Sequence, residues 1–400
     1  MKRFLTLLVL PLVFGPLSGS GGGASTRSRI PFINVTDLYH PHQDVGDNVD
    51  LLTAYALPEL ELKAVILDCS EPFRQPVAKN AGPGLFEDAQ GPRDPGFVPV
   101  LQLNYLFNRN VPCGAGPFAR MKTPDDTMRD APGFQQQGVE LILRTLRQSD
   151  VPMDITSFGS ARPVAVAYNR DPALFHAKLR RLHLSAGTSA PGFLEWNVAL
   201  DTNAVVALLR STLPIALYPC AAGNAESVGY GIKHPAFSYD RHNTFFKLPD
   251  LRFLADMEPP LRRYLEFAIT RSARPDFLRA LEADGPAPEA ARLDKEHYVW
   301  ETAVWLCLSG RRLVKRVDGS CRIVCPGEVL PTDTVLPNAL CPCEVKVEPG
   351  GIYTFRKTSA ASAFAIYDRG DPRANESALR EALPALYRSY RAAARTQGAP

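Results

Sequence analysis

Short apolar runs alternate with amphipathic segments along most of the chain. The runs with the length and β-branched content of buried strands lie at residues 30–36, 62–68, 98–106, 153–158, 178–186 and 213–219. The segments with apolar residues at helical spacing lie at residues 47–60, 138–150, 162–175 and 201–213. Repeated alternation of strand and helix is typical of a mostly parallel sheet with helices on both faces. We therefore predict an α/β, doubly wound fold, with the ligand site at the carboxyl ends of the strands.

The pattern changes near residue 311. Short alternating runs with glycine turns follow, and a helical segment comes last, at residues 375–395. These runs predict either a small β unit or an extension of the sheet's edge. We expect one α/β domain at residues 29–310 and a β-rich extension with a terminal helix at residues 311–400, packed on the same domain.

The first 28 residues have the features of a secretory signal peptide. Lys2 and Arg3 precede an apolar run from Phe4 to Phe14, and small residues follow. This run is too short for a permanent membrane helix, which needs about 20 residues. We expect residues 1–28 to be removed, and a secreted or periplasmic protein without a membrane span.

An exported chain can form disulfides, which bears on its eight cysteines. Cys321 and Cys325 form one late pair, and Cys341 and Cys343 form another. We favour a disulfide between the two pairs over free buried thiols. A zinc site fits less well, because zinc sites usually have C-x2-4-C spacing in both arms and the second arm here is C-x-C.

The composition excludes several classes of protein. With 45% hydrophobic and 22% charged residues, the chain can form a core and is not intrinsically disordered. The formal net charge of +3 includes Lys2 and Arg3 of the predicted leader. Bulk charge therefore gives no support for a nucleic-acid partner.

The segment after the first predicted strand carries the strongest chemical signal. Within 14 residues it contains Asp37, Asp44, Asp47 and Asp50, with His40 and His42 between them. Carboxylates this close together repel one another, and a hard cation such as Ca²⁺, which takes six to eight oxygen ligands, relieves the repulsion. The alternative is structural: Asp44 or Asp47 caps the following helix, and Asp50 is solvated.

This segment resembles the opening of the inosine-uridine preferring nucleoside hydrolase family, which has the motif D-x-D-x-G-x-D-D-x-x-A-L. The corresponding stretch here is TDLYHPHQDVGDNVDLL. Two later stretches match in family order: SFGSARPVAVAYNRDPALF is similar to the family's G-x-L-T-N-x-A segment, and GFLEWNVALDTNAVVALL is similar to its E-F-N block. The matches cover roughly residues 30–310, as a divergent, secreted bacterial-type member would show.

The resemblance implies calcium-dependent hydrolysis of the N-glycosidic bond of a ribosyl substrate. It assigns catalysis to Asp47. It assigns the metal to Asp44, Asn48, Glu301 and the backbone carbonyl of Arg162, and the substrate to Glu195, Asn197 and Trp300. Further candidates, for the metal or for protonating the leaving group, are Asp37, His40, His42, Asp50, Asp240 and His242. Asp240 and His242 can equally be ordinary loop residues.

Several positions depart from the family pattern. Six residues separate Asp37 from Asp44 where the family has one, and Asn48 stands where the family has the second of two adjacent Asp residues. The family's late His-Asp motif corresponds to Trp300-Glu301, and an indole cannot donate a proton as a histidine does.

Two other functions remain open. A non-catalytic relative with a degenerate metal site would bind a sugar or nucleoside, which the changes at Asn48, Trp300 and Glu301 favour. A metal-dependent hydrolase would instead use His40 and His42. The direction of the Asp47 side chain, toward the metal or toward the helix terminus, distinguishes the calcium-dependent hydrolase from the non-catalytic relative. In each case we expect a small-molecule sugar or ribosyl ligand, and the sequence is compatible with a homo-oligomer.

Overall fold

The computed structural model describes residues 29–39, 44–71, 94–189, 194–220, 240–244, 246–270, 272, 274–283, 288 and 290–393. The predicted leader, His40 and His42 lie outside these ranges. Among the described residues, no helix is both long and apolar enough to cross a membrane.

Strands occur along the whole described chain. They are β1 (Ile30–Thr36), β2 (Leu60–Leu67), β3 (Cys113–Ala115), β4 (Met153–Phe158), β5 (Leu179–Ser185), β6 (Ile215–Tyr218), β7 (Phe246–Leu248), β8 (His297–Val299), β9 (Arg312–Lys315), β10 (Cys321–Val324), β11 (Thr334–Leu336), β12 (Ala339–Val347), β13 (Tyr353–Lys357) and β14 (Phe364–Asp368). In the described ranges, nine of them form one sheet in the order β13-β12-β14-β6-β5-β4-β1-β2-β3. From β14 to β3 all neighbours are parallel, whereas β12 is antiparallel to both of its neighbours. The mostly parallel α/β fold is therefore confirmed.

Helices cover both faces of this sheet. They are α1 (Val45–Ala56), α2 (Phe97–Leu106), α3 (Gly133–Gln148), α4 (Arg162–Arg170), α5 (Pro172–Lys178), α6 (Trp196–Leu200), α7 (Thr202–Leu209), α8 (Pro259–Ile269), α9 (Ala290–Leu293), α10 (Thr302–Ser309) and α11 (Pro372–Ser389). Successive residues of a strand point to opposite faces, so Phe32 packs with α1, α8 and α10, and Ile33 packs with α3, α4 and α7. The buried core therefore lies in two layers, one on each side of the sheet.

The prediction of a strand at residues 98–106 is wrong, because this segment is helix α2. Its buried residues Val100, Leu103 and Leu106 recur at a spacing of three, which is helical. Pro99 lies in the first turn, where a missing backbone N–H costs nothing. The other predicted strands coincide with β1, β2, β4, β5 and β6 to within two residues at most boundaries.

The segment after residue 311 forms both a separate sheet and an extension of the main one. Strands β9 to β11 make a small antiparallel sheet in the order β10-β9-β11, and α11 packs against β10. Strands β12 to β14 continue the central sheet beyond β6, with Phe364 beside Ile215. Of the strands in the C-terminal extension, β12 to β14 are thus part of the central sheet, and β9 to β11 are not.

The favoured disulfide between the two late cysteine pairs is wrong. All eight cysteines lie in the described ranges and are free. Cys321 lies on β10 in the small sheet, and Cys343 lies on β12 in the central sheet, where it packs into the opposite core layer. The two cysteines thus pack in different core layers, and neither is bonded to another cysteine.

Gly187, just after β5, should tolerate no side chain. Its φ is +89°, and an added Cβ would lie 2.1 Å from Cε1 of Tyr353. We expect Gly187→Ala to lower the free energy of unfolding by about 3 kcal/mol, from left-handed backbone strain and overpacking together. Urea denaturation would measure the loss.

Gly133→Ala is the matched control, because a Cβ at Gly133 meets nothing within 4 Å. Its effect should stay within about 0.5 kcal/mol. Equal unfolding free energies for the two variants would contradict the packing described for Gly187.

Candidate active site

The loop after β1 and the start of α1 are fixed by a helix cap and by a glycine. Asp44 is the N-cap residue of α1, and its Oδ1 accepts a hydrogen bond from the Gly46 backbone N–H at 2.5 Å. A Cβ on Gly46 would lie 2.2 Å from the carbonyl oxygen of Tyr298. Only glycine allows β8 to approach α1 so closely. As a result, the residues that follow β8, Trp300 and Glu301, come beside the start of α1.

Carboxyl groups from separate parts of the chain come together here. Among the described residues we define the acid cluster as Asp37, Asp47, Asp50 and Glu301. Burial raises the pKa of each of them. Asp37, Asp44 and Asp50 raise the pKa of Asp47 further, and Asp50 does the same for Glu301. The pKa of Asp50 is raised to about 6. Asp47 thus faces the acid cluster, and Asp44 caps the helix.

Asp50 and Glu301 have buried oxygens that receive no donor from the other described residues. Glu301 precedes α10, yet its side chain caps no backbone N–H of that helix. The indole Nε1 of Trp305 donates to Asp50 Oδ1 at 2.8 Å. Within the described part of the chain, Asp50 Oδ2 and Glu301 Oε2 are buried and accept no hydrogen bond from an N–H group or a hydroxyl. The two carboxyl groups hydrogen-bond to each other, which requires that one of them carries a proton. A buried carboxylate oxygen without a donor is costly, so these atoms are suited to bind a cation.

Both polar atoms of the Asn48 side-chain amide form hydrogen bonds. Its Nδ2 donates to the Asp44 carbonyl at 2.7 Å, and its Oδ1 accepts from the Tyr264 hydroxyl at 3.0 Å. The residue is fully buried. A metal at the Asn48 oxygen, as the resemblance implies, would have to displace the Tyr264 hydroxyl.

Glu195 and Asn197 organise the loop after β5. Glu195 caps α6 and accepts from the backbone N–H groups of Gly187 at 2.7 Å, Asn197 at 2.9 Å and Val198 at 3.3 Å. Burial raises the pKa of Glu195 in spite of these donors. The Asn197 amide donates to the Ser185 carbonyl at 2.8 Å. Trp300 is half-buried, and its ring centroid lies 6.0 Å from that of Tyr298.

Arg162 begins α4, and its guanidinium is buried. Nε donates to Asp201 Oδ2 at 2.8 Å. Nη1 donates to the carbonyl oxygens of Cys69 at 3.1 Å, Pro117 at 2.7 Å and Phe118 at 2.9 Å. The side chain therefore joins the segments that follow β2 and β3 to the N-cap residue of α7.

The remaining described candidates lie against the C-terminal extension. Asp240 Oδ1 accepts from the His242 backbone N–H at 2.7 Å. His242 Nδ1 lies 2.7 Å from the Tyr367 carbonyl oxygen, and its ring packs edge-on against Phe355. These contacts hold residues 240–244 on β14 and β13, and they give neither residue a contact with the acid cluster.

Two residues that lie near the acid cluster were not identified from the sequence. Asp68 is buried, accepts from the Ser160 hydroxyl at 2.8 Å, and is the nearest charge that raises the pKa of Asp37. Its position at the carboxyl end of the second predicted strand was a usable signal. Tyr264, the partner of Asn48, is 216 residues away from it in sequence. No local pattern points to it.

Comparison with known proteins identifies relatives. No family model matches the chain. Pyrimidine-specific ribonucleoside hydrolase RihA of Escherichia coli O127:H6 is 27% identical over 180 residues, which cover 43% of this chain and 55% of the relative. RihA of Salmonella agona is 28% identical over the same share. This chain thus matches about half the length of these curated relatives. Over that share of its length, the chain is therefore similar to ribonucleoside hydrolases.

Solved nucleoside hydrolases share the fold. The structure titled inosine-guanosine nucleoside hydrolase covers 91% of this chain and 100% of its own, with a TM-score of 0.50 and 16% identity. The inosine-uridine preferring nucleoside hydrolase of Bacillus anthracis covers 89% and 99%, with a TM-score of 0.44 and 14% identity. At 16% identity, the similarity to the first of these structures supports a shared fold alone.

Removal of the Arg162 guanidinium should destabilise the folded protein strongly. Arg162→Met removes the cation that pairs with the buried Asp201 carboxylate, which keeps only the Met121 and Ala204 N–H donors among those described, and it removes a donor from three carbonyl groups. Breaking a buried ion pair from one side costs about 3–5 kcal/mol, and we expect a loss of that size in urea denaturation. Arg162→Lys should restore little of it, because an ammonium cannot donate in the same fork geometry.

Arg356→Met serves as the control. Arg356 pairs with Glu344 at 2.6 Å, but both side chains are more than half exposed. Its loss should cost at most about 1 kcal/mol. A similar small loss for Arg162→Met would show that the buried pair contributes little to stability.

Proposed function

We propose that this protein hydrolyses the N-glycosidic bond of a ribosyl substrate with the help of a bound calcium ion. The observation that supports this most directly is the acid cluster, in which carboxyl groups from β1, α1 and the start of α10 meet at the carboxyl edge of a parallel sheet. The named activity of the RihA relatives suggests pyrimidine ribonucleosides as the first substrates to test.

The donor set fits calcium. Carboxylate and carbonyl oxygens are the ligands that Ca²⁺ prefers, and the buried Asp50 Oδ2 and Glu301 Oε2 have no N–H or hydroxyl donor. An ion here would displace the proton that these two carboxyl groups share. In the described ranges, no three His, Cys, Asp or Glu side chains are already arranged to hold a metal ion. The carboxyl groups of Asp37, Asp47 and Glu301 would therefore have to turn toward the ion. Asn48 would join by leaving the Tyr264 hydroxyl, whereas Asp44 could offer Oδ2 while its Oδ1 caps the helix.

Different side chains of the site would have different roles in the reaction. Bound calcium would polarise a water molecule and coordinate the two hydroxyl groups of the sugar diol. Asp47 would take a proton from that water as the general base. Glu195 and Asn197 would hold ribosyl hydroxyls. The C–N bond would break through an oxocarbenium-like state, whose positive charge the neighbouring carboxylates stabilise.

A second candidate function is ligand binding at the same site without catalysis. Asn48 is bonded to Tyr264, and Trp300 occupies the place of the family's histidine acid. Both observations favour a protein that binds a sugar or nucleoside without cleaving it. Such a protein would bind uridine and release no ribose.

Activity measurements separate the two functions. The hydrolase should release ribose from uridine or inosine in the presence of Ca²⁺ and lose this activity in EDTA. Asp47→Asn should lower kcat by about 10²–10⁴-fold, the range that general-base catalysis supplies. Asp150→Asn, at an exposed position, is the control and should leave kcat unchanged. Unaltered turnover in Asp47→Asn would remove Asp47 from the mechanism.

The acid cluster also predicts how stability depends on pH. The pKa of Asp50 is about 6 in the folded protein, against an ordinary value of 3.8. An acid with a raised folded-state pKa holds its proton more firmly when folded, so the metal-free protein should lose stability as pH rises from about 4 through about 6. Calcium should restore stability at pH 8.

Asp50→Asn tests the origin of this dependence, because it removes the charge and keeps an acceptor for Trp305. Urea denaturation in EDTA at pH 5 and pH 8 should show a smaller difference for the variant than for the wild type. Identical differences in the two proteins would mean that Asp50 does not carry the effect.

A further inference from the structure

The C-terminal hairpin of β12 and β13 reaches the loop that holds Glu195. Tyr353, the first residue of β13, is buried, and its hydroxyl donates to the Ala186 carbonyl at 2.8 Å. The ring lies flush against Gly187, whose added Cβ would meet Tyr353 Cε1 at 2.1 Å and Cζ at 2.6 Å. The aromatic ring therefore occupies the space that a side chain at residue 187 would need.

A short series of hydrogen bonds continues from this contact to the predicted substrate residues. The Gly187 N–H donates to Glu195 Oε2 at 2.7 Å. The same carboxylate accepts from the Asn197 and Val198 backbone N–H groups, which begin α6. The position of the Gly187 amide thus sets the orientation of Glu195, and Glu195 sets the start of the helix that carries Asn197.

The turn of the hairpin touches the same helix independently. Gly351 has a φ of +86°, and a Cβ there would lie 2.8 Å from Cγ1 of Val198 and 3.2 Å from Cβ of Thr202. The hairpin therefore contacts this region at two points, one before Glu195 and one after it.

We propose that Tyr353 is a positioning residue for substrate binding: by fixing Ala186 and Gly187 it orients Glu195 and Asn197 toward the ribosyl group. This inference rests on the proposed function of the same site. It gives the C-terminal extension a part in building the substrate pocket, in addition to its strands in the central sheet.

The Tyr353 phenol is in the state that this role needs. Burial raises its pKa, and the nearby Cys220 and Glu195 side chains act in the same direction. The hydroxyl therefore stays protonated at neutral pH and donates to the Ala186 carbonyl. Tyr353→Phe removes this one hydrogen bond and keeps the ring against Gly187.

Tyr55→Phe is the matched control. Tyr55 is also buried, and its hydroxyl is 3.1 Å from Asn104 Oδ1, at the far end of α1 from the acid cluster. Each variant loses one hydroxyl from a buried tyrosine. The two should lose comparable stability, but only Tyr353 contacts the Glu195 loop.

The experiment measures kinetics on uridine and amide hydrogen exchange, both with the mature chain. We expect Tyr353→Phe to raise KM about tenfold with little change in kcat, the signature of weakened substrate binding in ground and transition state alike. The Gly187, Asn197 and Val198 amides should exchange about tenfold faster through local opening. Tyr55→Phe should change neither KM nor these amides.

Each result bears on the proposal. An unchanged KM and unchanged exchange in Tyr353→Phe would overturn it, and so would equal changes in both variants, which would mean general destabilisation. If the wild type cleaves no ribosyl substrate, the proposed function fails. Amide exchange then decides the positioning role alone: faster exchange confined to the Glu195 loop of Tyr353→Phe supports it, and unchanged exchange overturns it.

Discussion

The site depends first on one buried guanidinium. The parallel strands end at one edge of the sheet, and the segments that follow them have backbone carbonyls that must find donors away from water. Arg162 supplies them to Cys69, Pro117 and Phe118, while Asp201 balances its charge. A small hydroxyl side chain could satisfy one of these acceptors at most. A fork of donors at this position ties three segments of the chain together, and the acid cluster is assembled beside them.

The acid cluster, in contrast, lowers the free energy of unfolding. Each buried carboxylate costs several kcal/mol when its charge is unpaired. Asp50 raises the pKa of Asp47, and Asp50 and Asp47 both raise the pKa of Glu301. They stay together because their backbones are fixed elsewhere: Asp47 and Asp50 by the core face of α1, and Glu301 by β8, whose backbone abuts Gly46. The cost is concentrated where a cation would remove it. This is the physical reason to regard the cluster as a binding site.

Local patterns in the sequence predict local structure well here and distant contacts poorly. Strand periodicity finds β1, β2, β4, β5 and β6, and the concentration of Asp residues after β1 marks the site. The apolar run of α2 contains β-branched residues and a proline, and therefore looks like a strand until its buried positions are known. The bond between Asn48 and Tyr264 joins residues that no periodicity relates. The same holds for Tyr353 and Ala186, since the order of strands in a sheet follows from packing over the whole chain.

The two halves of the site differ in chemistry, and the difference follows from how each is built. The half formed by β1, α1 and the start of α10 presents carboxyl groups whose charge is unmet, which suits a cation and a positively charged sugar. In the half formed by the β5 loop and α6, Glu195 is a carboxylate whose charge is already spread over three backbone N–H groups. Such a carboxylate would accept from a sugar hydroxyl without drawing the proposed cation away from the acid cluster. The geometry of that half depends on neighbouring packing, which the C-terminal hairpin provides through Tyr353 and Gly351.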